Sequence, residues 1–542
     1  MAEEFHTLQE LLNLIVGKYS DQVAFQARAG EGYRKITYRQ IREIGSKIQA
    51  ALAAMGVSQG DRVALLSENR PEWPISHYAI TGMGAIAVPL DAMLRKEDIV
   101  PLLEDSEAKV IIASKNFIEF TKGTRVENNV LLMDDFEKLN PAAGRIDVKI
   151  LPEDLAAILY TSGTTGVPKG VMLTHRNLTS NVASTIQFFP VGPGDNFLSV
   201  LPLHHTFEST VGMLCLTCLG AKITYAESLK SHNILQNMQE TGVTHMLGVP
   251  LLYQLFYAGI QREVEEKKLR KVFGILFAIS RFFKHVLGIN VGRALFSTVH
   301  KKFGGKIKFM AVGGAPMDKD VLLNFDLMGF PIYQGYGLTE TSPILTLNHP
   351  KKGNIPASNR YGSVGTALPG VKLKVVGNES IGEILAYGPN VMKGYYKRQD
   401  LTDEVIDKDG WFHTGDLGYM DKDGFLFITG RAKDVIVTGS GVNVYPEEIE
   451  FMMKKIPAIK EAAILGSKIK EGIRKGMEEV LAVVVPNENV SDEAVNQAIK
   501  ELNQKLADFK RIARVIIRKE ELPKTRLLKI KKFLVRKEYG LL

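Results

Sequence analysis

The chain has 542 residues, a length that suits roughly three or four domain-lengths, and its hydrophobic and charged fractions of 45% and 24% are those of an ordinary soluble protein. Its two cysteines, Cys215 and Cys218, exclude a disulfide framework and fit a reducing compartment, and no uninterrupted apolar run is long enough to span a bilayer. The net charge of +8 gathers between residues 505 and 537, which favours anionic partners, but that stretch lacks the interleaved aromatics of single-strand nucleic-acid binders.

The N-terminus, Met1-Ala2-Glu3-Glu4-Phe5, is acidic and has no signal-peptide core, so a cytoplasmic protein is expected. Apolar β-rich runs then alternate with helical patterns through 51–55, 63–66, 78–83 and 85–89, which implies α/β layers. A strand at 109–113 is followed by an apolar run at 154–159, and this leads into Tyr160-Thr161-Ser162-Gly163-Thr164-Thr165-Gly166-Val167-Pro168-Lys169-Gly170. The run places hydroxyls, glycines and one lysine at a strand's carboxyl end, where backbone amides can approach a polyphosphate. It lacks the Gly-x-x-x-x-Gly-Lys-Ser/Thr spacing of a Walker loop, so kinase and GTPase chemistry loses weight. A plain Gly/Thr turn between two strands is the competing reading.

Further strands are expected at 196–201, 222–225, 243–248, 306–312 and 331–334. The Cys-x-x-Cys spacing of Cys215 and Cys218 falls inside the apolar stretch 211–219 and reads as two small buried residues of a core helix. Gly313-Gly314-Ala315-Pro316 gives close backbone approach to a flat ring. In Tyr333-Gln334-Gly335-Tyr336-Gly337-Leu338-Thr339-Glu340-Thr341, Tyr336 can stack on a base and Glu340 can hold a magnesium ion beside phosphate. After Tyr361 short segments at 371–376, 382–386 and 421–428 read as a smaller β-rich lobe, in which Thr414-Gly415-Asp416 offers a carboxylate to ribose hydroxyls. Gly430-Arg431-Ala432-Lys433-Asp434 sets a basic pair in a loop, and from Asp434 a βα pattern resumes with helices at 446–453 and 492–506 around a strand at 480–485.

The runs 160–170, 336–340, 411–416, 430–434 and 522–530, in that order and spacing, resemble the AMP-forming adenylating superfamily of acyl-CoA synthetases, firefly luciferase and peptide-synthetase adenylation domains. The resemblance covers nearly the whole chain. It implies an α/β fold: a large N-terminal domain (1–430) of layered α/β subdomains plus a β-rich lobe, a hinge at 431–434, and a small mobile α+β C-terminal domain (434–542).

The resemblance also implies site residues. Thr161, Ser162, Gly163, Thr164, Thr165, Gly166 and Lys169 look like a mobile phosphate loop, with Thr161 and Glu340 as magnesium ligands. Gly314, Ala315, Pro316, Tyr336, Gly337 and Thr339 resemble the adenine pocket, and Asp416 and Arg431 the ribose contacts. Lys433 resembles the hinge and Lys529 the adenylation lysine; the family usually has glycine before it, here Leu528, which leaves Lys531 and Lys532 as alternatives. His205, in Leu201-Pro202-Leu203-His204-His205-Thr206-Phe207, takes the position lining the carboxylate, and a structural histidine is equally compatible. Gly439 and Gly441, in Thr438-Gly439-Ser440-Gly441, could border a pantetheine tunnel. ATP, Mg²⁺ and CoA are the implied ligands.

Segment 261–302 is similar to the extra helical region of long-chain fatty acyl-CoA synthetases. Phe273, Leu276, Phe277, Phe283, Val286 and Leu287 could form one apolar face among Lys267, Lys268, Arg270, Lys271, Arg281 and Lys284, as in an interfacial membrane helix on the inner face of a membrane, or else pack on the core beside an acyl tunnel. Either favours a fatty substrate, and a long-chain fatty acid:CoA ligase is the first reading. An acyl-acyl-carrier-protein synthetase, in which the basic tail meets an acidic carrier, and a non-catalytic lipid-binding module on the same fold are the alternatives.

Overall fold

The computed structural model describes residues 5–140, 148–161, 168–352, 358–377, 381–438, 443–469, 478–524 and 530–541. The chain divides into two compact units. One comprises Met1–Lys372 with Ala386–Phe412, the other Leu373–Leu385 with His413–Leu542. This division follows packing, and so differs in kind from a hinge, which is defined by motion; the segments 373–385 and 413–431 pack with the C-terminal part of the chain.

Two sheets organise the first unit. In one, seven described strands run in the order Gly394–Tyr395, Lys169–Thr174, Leu155–Thr161, Ile86–Pro89, Arg62–Leu66, Val110–Ala113, Val130–Leu132. The five from Leu155–Thr161 onward pair in parallel, for example Ala64 with Val88 and Ile111, and short apolar strands buried on both faces are what such pairing needs. The first three pair antiparallel, with Thr161 opposite Lys169 and Tyr395 opposite Val171. The second sheet has nine described strands, whose parallel centre is Val23–Ala29, Lys222–Tyr225, Asn196–Ser199, His245–Gly248, Phe309–Val312 and Ile332–Gly337.

Every residue of the helix Glu72–Gly82 is buried, which explains why its sequence has no polar stripe. Trp73 stacks on His77 with centroids 5.6 Å apart, and Tyr78 shares a 2.8 Å hydrogen bond with Thr217. Burial works against the charge of Glu72, but Arg70 and Arg34 pair with it and hold its carboxyl below the usual range. Cys215 and Cys218 are buried, as expected, at the end of a π-helical stretch Phe207–Cys215 and the turn Leu216–Cys218 that continues it.

The helix Arg270–Leu287 corrects the single apolar face expected at 261–302. Phe273 and Phe277 turn inward onto Phe296, with centroids 5.2 and 5.0 Å away, while Val286 and Leu287 are exposed. Lys284, expected among the surrounding cations, instead pairs with Asp326 and reaches Tyr361. Apolar residues lie on both sides of the helix, so composition alone does not separate its faces.

In the second unit, strands Ile459–Lys468, Glu478–Pro486 and Ile512–Ile517 form a sheet whose alternating residues feed two apolar clusters. Ile464, Ala482 and Val484 face Ile449, Val495 and Ile499 of the helices Pro446–Met453 and Asp492–Lys505. Ala463, Leu465, Leu481 and Val483 face Val535 of the helix Lys532–Glu538. A second sheet orders Lys372–Val376, Gly382–Tyr387, Phe412–Met420 and Leu426–Arg431. The strand expected at 421–428 begins only at Leu426, because Asp421 accepts hydrogen bonds from the amides of Asp423 and Phe425, both 3.0 Å, and closes a turn.

Truncating the largest fully buried side chain should test the packing of the first unit. Trp73→Ala is expected to cost about 3–5 kcal/mol, read as a lower urea midpoint at unchanged slope.

Candidate active site

The loop that the sequence singled out is the connection of a β-hairpin. Thr161 ends one strand and Lys169 begins the next, and the two are paired partners. A hairpin differs from the strand-to-helix geometry of a Walker loop, in keeping with its spacing. Ser162, Gly163, Thr164, Thr165 and Gly166 lie outside the described residues. After the second strand, Thr174 caps the helix His175–Thr185: its hydroxyl accepts from the Asn177 amide at 3.1 Å and Asn177 Oδ1 accepts from the Thr174 amide at 2.8 Å.

From this cap the site is tied together by amides. Asn177 Nδ2 donates to the carbonyls of Pro389 and Val391, both at 2.8 Å, and Asn390 Nδ2 donates to the carbonyls of Thr341 and Ile344 at 2.9 and 3.1 Å. The Met392 amide donates to the Glu340 carbonyl at 2.8 Å. These bonds place Gly394–Tyr395 beside the hairpin. There the Lys169 ammonium lies 5.0 Å from the centroid of the Tyr395 ring, and the Tyr395 hydroxyl donates to Glu340 Oε1 at 2.9 Å. Lys169 and Glu340, 171 positions apart in the chain, are thus joined through one tyrosine. Tyr395 was not among the expected residues; its only signal was the Gly394-Tyr395-Tyr396 run after an apolar segment.

Gly313–Pro316 and Tyr336–Glu340 share an edge because their strands are in register, Gly248 with Val312 and Val312 with Gln334. This is the carboxyl edge of the parallel sheet, where ligands bind in open α/β folds. Gly314 and Pro316 are exposed there and Ala315, Tyr336 and Thr339 half-buried. At Gly337 a Cβ would stand 1.8 Å from the Pro343 carbonyl oxygen, so only glycine allows the chain to turn into Glu340.

The turn carrying His205 meets the same edge, since a Cβ on Gly313 would lie 3.1 Å from the Phe207 ring. His204 and His205 have ring centroids 4.2 Å apart. Burial pushes the His205 imidazole down to about 4, and burial and then its neighbour push His204 well below the usual range, so both are neutral near pH 7. Behind them Glu208 is fully buried, accepts from the Ser199 hydroxyl and is pushed up by burial to about 8, which keeps it protonated at neutral pH.

The second unit brings together the pair expected to contact ribose. Asp416 and Arg431 are cross-strand partners, with Arg431 Nε 2.6 Å from Asp416 Oδ1. The Thr414 hydroxyl donates to the Ile384 carbonyl at 2.7 Å and accepts from the Asp416 amide at 3.1 Å, while Glu383 accepts from the Gly415 amide at 3.1 Å. Lys433 is exposed in the turn Ala432–Asp434. Lys529, Gly439 and Gly441 lie outside the described residues. The base of the segment that contains Lys529 is closed by the Lys524–Ile530 bridge and by the Lys531 amide, which donates to the Pro523 carbonyl at 2.7 Å. Lys532 is occupied otherwise: its Nζ is 2.9 Å from Glu450 and 3.8 Å from Glu447, its side chain is 13% exposed, and against the cost of burial these acids and Asp434 raise its affinity for the proton.

Among the described residues no cluster of three or more His, Cys, Asp or Glu side chains can hold a metal ion. Magnesium needs no such cluster, since it takes one or two protein oxygens and completes its shell with water and phosphate oxygens; the Glu340 carboxylate and the Thr161 hydroxyl are of the right chemistry.

The buried histidines set a pH dependence. A histidine with an ordinary pKa of 6.5 when unfolded and about 4 when folded makes the unfolded chain bind more protons on acidification, so stability is lost as pH falls from 6.5 toward 4. For His205 alone the loss at pH 5 is about 2 kcal/mol. Urea unfolding at pH 7 and pH 5 should show it, and His205→Asn should reduce the difference by that amount.

The AMP-binding enzyme family matches residues 15–396, and the AMP-binding enzyme C-terminal domain matches residues 448–529. A long-chain-fatty-acid–CoA ligase of Escherichia coli O6:H1 is 28% identical, covering 97% of this chain and 94% of its own. The chloroplastic long-chain-fatty-acid–[acyl-carrier-protein] ligase AEE15 of Arabidopsis thaliana is 27% identical over 92% of this chain and 80% of its own. Among solved structures, ATP-bound MatB from Rhodopseudomonas palustris superposes with a TM-score of 0.79 at 27% identity, covering 98% of this chain and 99% of that one. The o-succinylbenzoate CoA synthetase of Bacillus subtilis, in complex with its acyl-adenylate intermediate, gives 0.79 at 25% identity, with 97% of each chain covered. The chain therefore belongs to the AMP-binding enzyme family and is an acyl-activating, AMP-forming ligase.

Proposed function

We propose that the acid is a long-chain fatty acid and the acceptor CoA. The observation that carries the adenylation half of this reading is the Lys169–Tyr395–Glu340 chain at the foot of the hydroxyl- and glycine-rich hairpin. It holds a cation and a carboxylate at fixed positions beside a loop of amide and hydroxyl donors, the set needed to bind a polyphosphate. Bound magnesium, held by Glu340 and Thr161, would neutralise phosphate charge. In the first step a carboxylate oxygen attacks the α-phosphorus of ATP and the bond to the β-phosphate oxygen breaks, releasing pyrophosphate. Lys529 stabilises charge on the phosphoryl oxygens, Tyr336 and Gly314–Pro316 hold adenine, and Asp416 with Arg431 holds ribose. His205, being neutral, can border the acid's carboxylate without forming an ion pair with it.

In the second step a thiol sulfur attacks the acyl carbonyl, the bond to the phosphate oxygen breaks, AMP leaves and the thiol proton passes to solvent. In this reading the domains divide as 1–430 and 434–542, and turning about 431–434, centred on Lys433, replaces Lys529 by the segment with Gly439 and Gly441. The long-chain preference draws support from the Escherichia coli relative and from the half-buried and exposed apolar residues of Arg270–Leu287. The second reading, a carrier-protein acceptor, draws on the Arabidopsis relative and on the basic residues between 505 and 537.

Purified protein given ATP, Mg²⁺ and palmitate, with CoA or with a holo carrier protein, should form thioester with CoA. Thioester on the carrier alone would overturn the acceptor, and no palmitate-dependent pyrophosphate release would overturn the acid. Lys529→Ala should lower adenylate formation by roughly 10²-fold or more while a supplied acyl-adenylate still yields thioester; equal loss of both steps would count against the hinge. Tyr395→Phe, which removes only the hydroxyl bonded to Glu340, should raise the Mg²⁺ concentration needed for half-maximal pyrophosphate release by several-fold.

A further inference from the structure

The helix Arg270–Leu287 has a face that nothing among the described residues covers. Val272, Ile275, Ile279, Phe282 and Val286 fall at i, i+3, i+7, i+10 and i+14, one stripe of an α-helix, and each is between 38% and 64% exposed. One position toward the N-terminus the same spacing gives Lys271, Gly274, Ala278, Arg281 and His285, an exposed row of small and basic residues running beside the stripe. The opposite side is the anchored one: Phe273 and Phe277 pack on Phe296, the Ser280 hydroxyl donates to the Leu327 carbonyl at 2.6 Å, and Lys284 pairs with Asp326. The helix contains no acidic residue. Exposed Leu269 and Ile289 extend the apolar surface past both ends.

We propose that this outward face docks the protein on an anionic phospholipid surface, the helix lying in the plane of the interface. No described helix is long and apolar enough to cross a membrane, whereas an apolar stripe beside a basic row is suited to lying in one: the side chains enter the acyl boundary and the cations meet phosphate headgroups. Charge selects this occupant over a second copy of the chain. A two-fold pairing of the helix with itself would bring Lys271 and Arg281 of each copy to one interface, with no carboxylate on either helix to neutralise them. The inference does not depend on the acid or the acceptor thiol, since docking requires neither.

The full chain, without substrates, is sedimented with vesicles of phosphatidylcholine alone or mixed with phosphatidylglycerol. It should follow the mixed vesicles at low salt and be released by high salt. Ile275→Ser with Phe282→Ser should weaken partition about tenfold or more, and Lys271→Glu with Arg281→Glu should abolish the preference for phosphatidylglycerol. These positions are exposed, so thermal melting should be unchanged. As a measurement that needs no disruptive variant, Ile279→Cys carrying a polarity-sensitive fluorophore should shift to the blue with mixed vesicles, Cys215 and Cys218 being buried. The proposal is overturned if the wild-type chain stays in the supernatant, if the double serine variant partitions like the wild type, if the fluorophore does not shift, or if the stripe is instead consumed by self-association in sedimentation equilibrium.

Discussion

Antiparallel pairing of Leu155–Thr161 with Lys169–Thr174, at the flank of an otherwise parallel sheet, is the constraint on which the candidate site depends. Because side chains alternate along a strand, a slip of one residue would move Lys169 to the other face. The register is held from both sides, by Ile86–Pro89 within the parallel sheet and by Gly394–Tyr395 beyond the hairpin. The latter strand brings the tyrosine that joins Lys169 to Glu340. A loop that binds polyphosphate benefits from such a base, since donors held in place need little reorganisation when charge develops.

Much of the surrounding apparatus is polar groups held in place by amides rather than by charge. Asn177 and Asn390 satisfy carbonyls of the 389–391 and 341–344 turns, and each would leave a buried acceptor without its donor if truncated. The buried ionisable groups near the sheet edge are neutral: His204 and His205 are deprotonated and Glu208 is protonated, all because burial disfavours the charged form. A low-dielectric wall without fixed charge suits an acyl chain. The charged pairs that persist, such as Asp416 with Arg431 and Lys532 with Glu450, are those in which opposite charges meet at 2.6 and 2.9 Å.

The helix Arg270–Leu287 illustrates how composition and geometry divide the work. Its greasy and basic content was legible, and so was its helical period. Which side faced the protein was not, because aromatic residues lie on both sides and only contact with Phe296, Leu327 and Asp326 separates them. Lys532, an alternative for the adenylation lysine in the resemblance, is largely buried beside Glu447 and Glu450, where it ties the helix Lys532–Glu538 to Pro446–Met453.

By itself the sequence determined the local elements and the order of the motifs. Strands at Lys222–Tyr225 and His245–Gly248 and the helix Pro446–Met453 were readable, because apolar periodicity and a proline in the first helical turn act within a few residues. The segments with Thr161 and Lys169, with Glu340 and with Asp416 and Arg431 stood out by composition, and the resemblance to the adenylating superfamily implied their roles. Only the tertiary structure decided that Tyr395 links Lys169 to Glu340, that Asn177 both caps its own helix and holds a loop more than 200 residues away, and that Val272 to Val286 form the outward stripe. These depend on strand order and on which surfaces meet, and such long-range contacts leave no periodic trace in the chain that makes them.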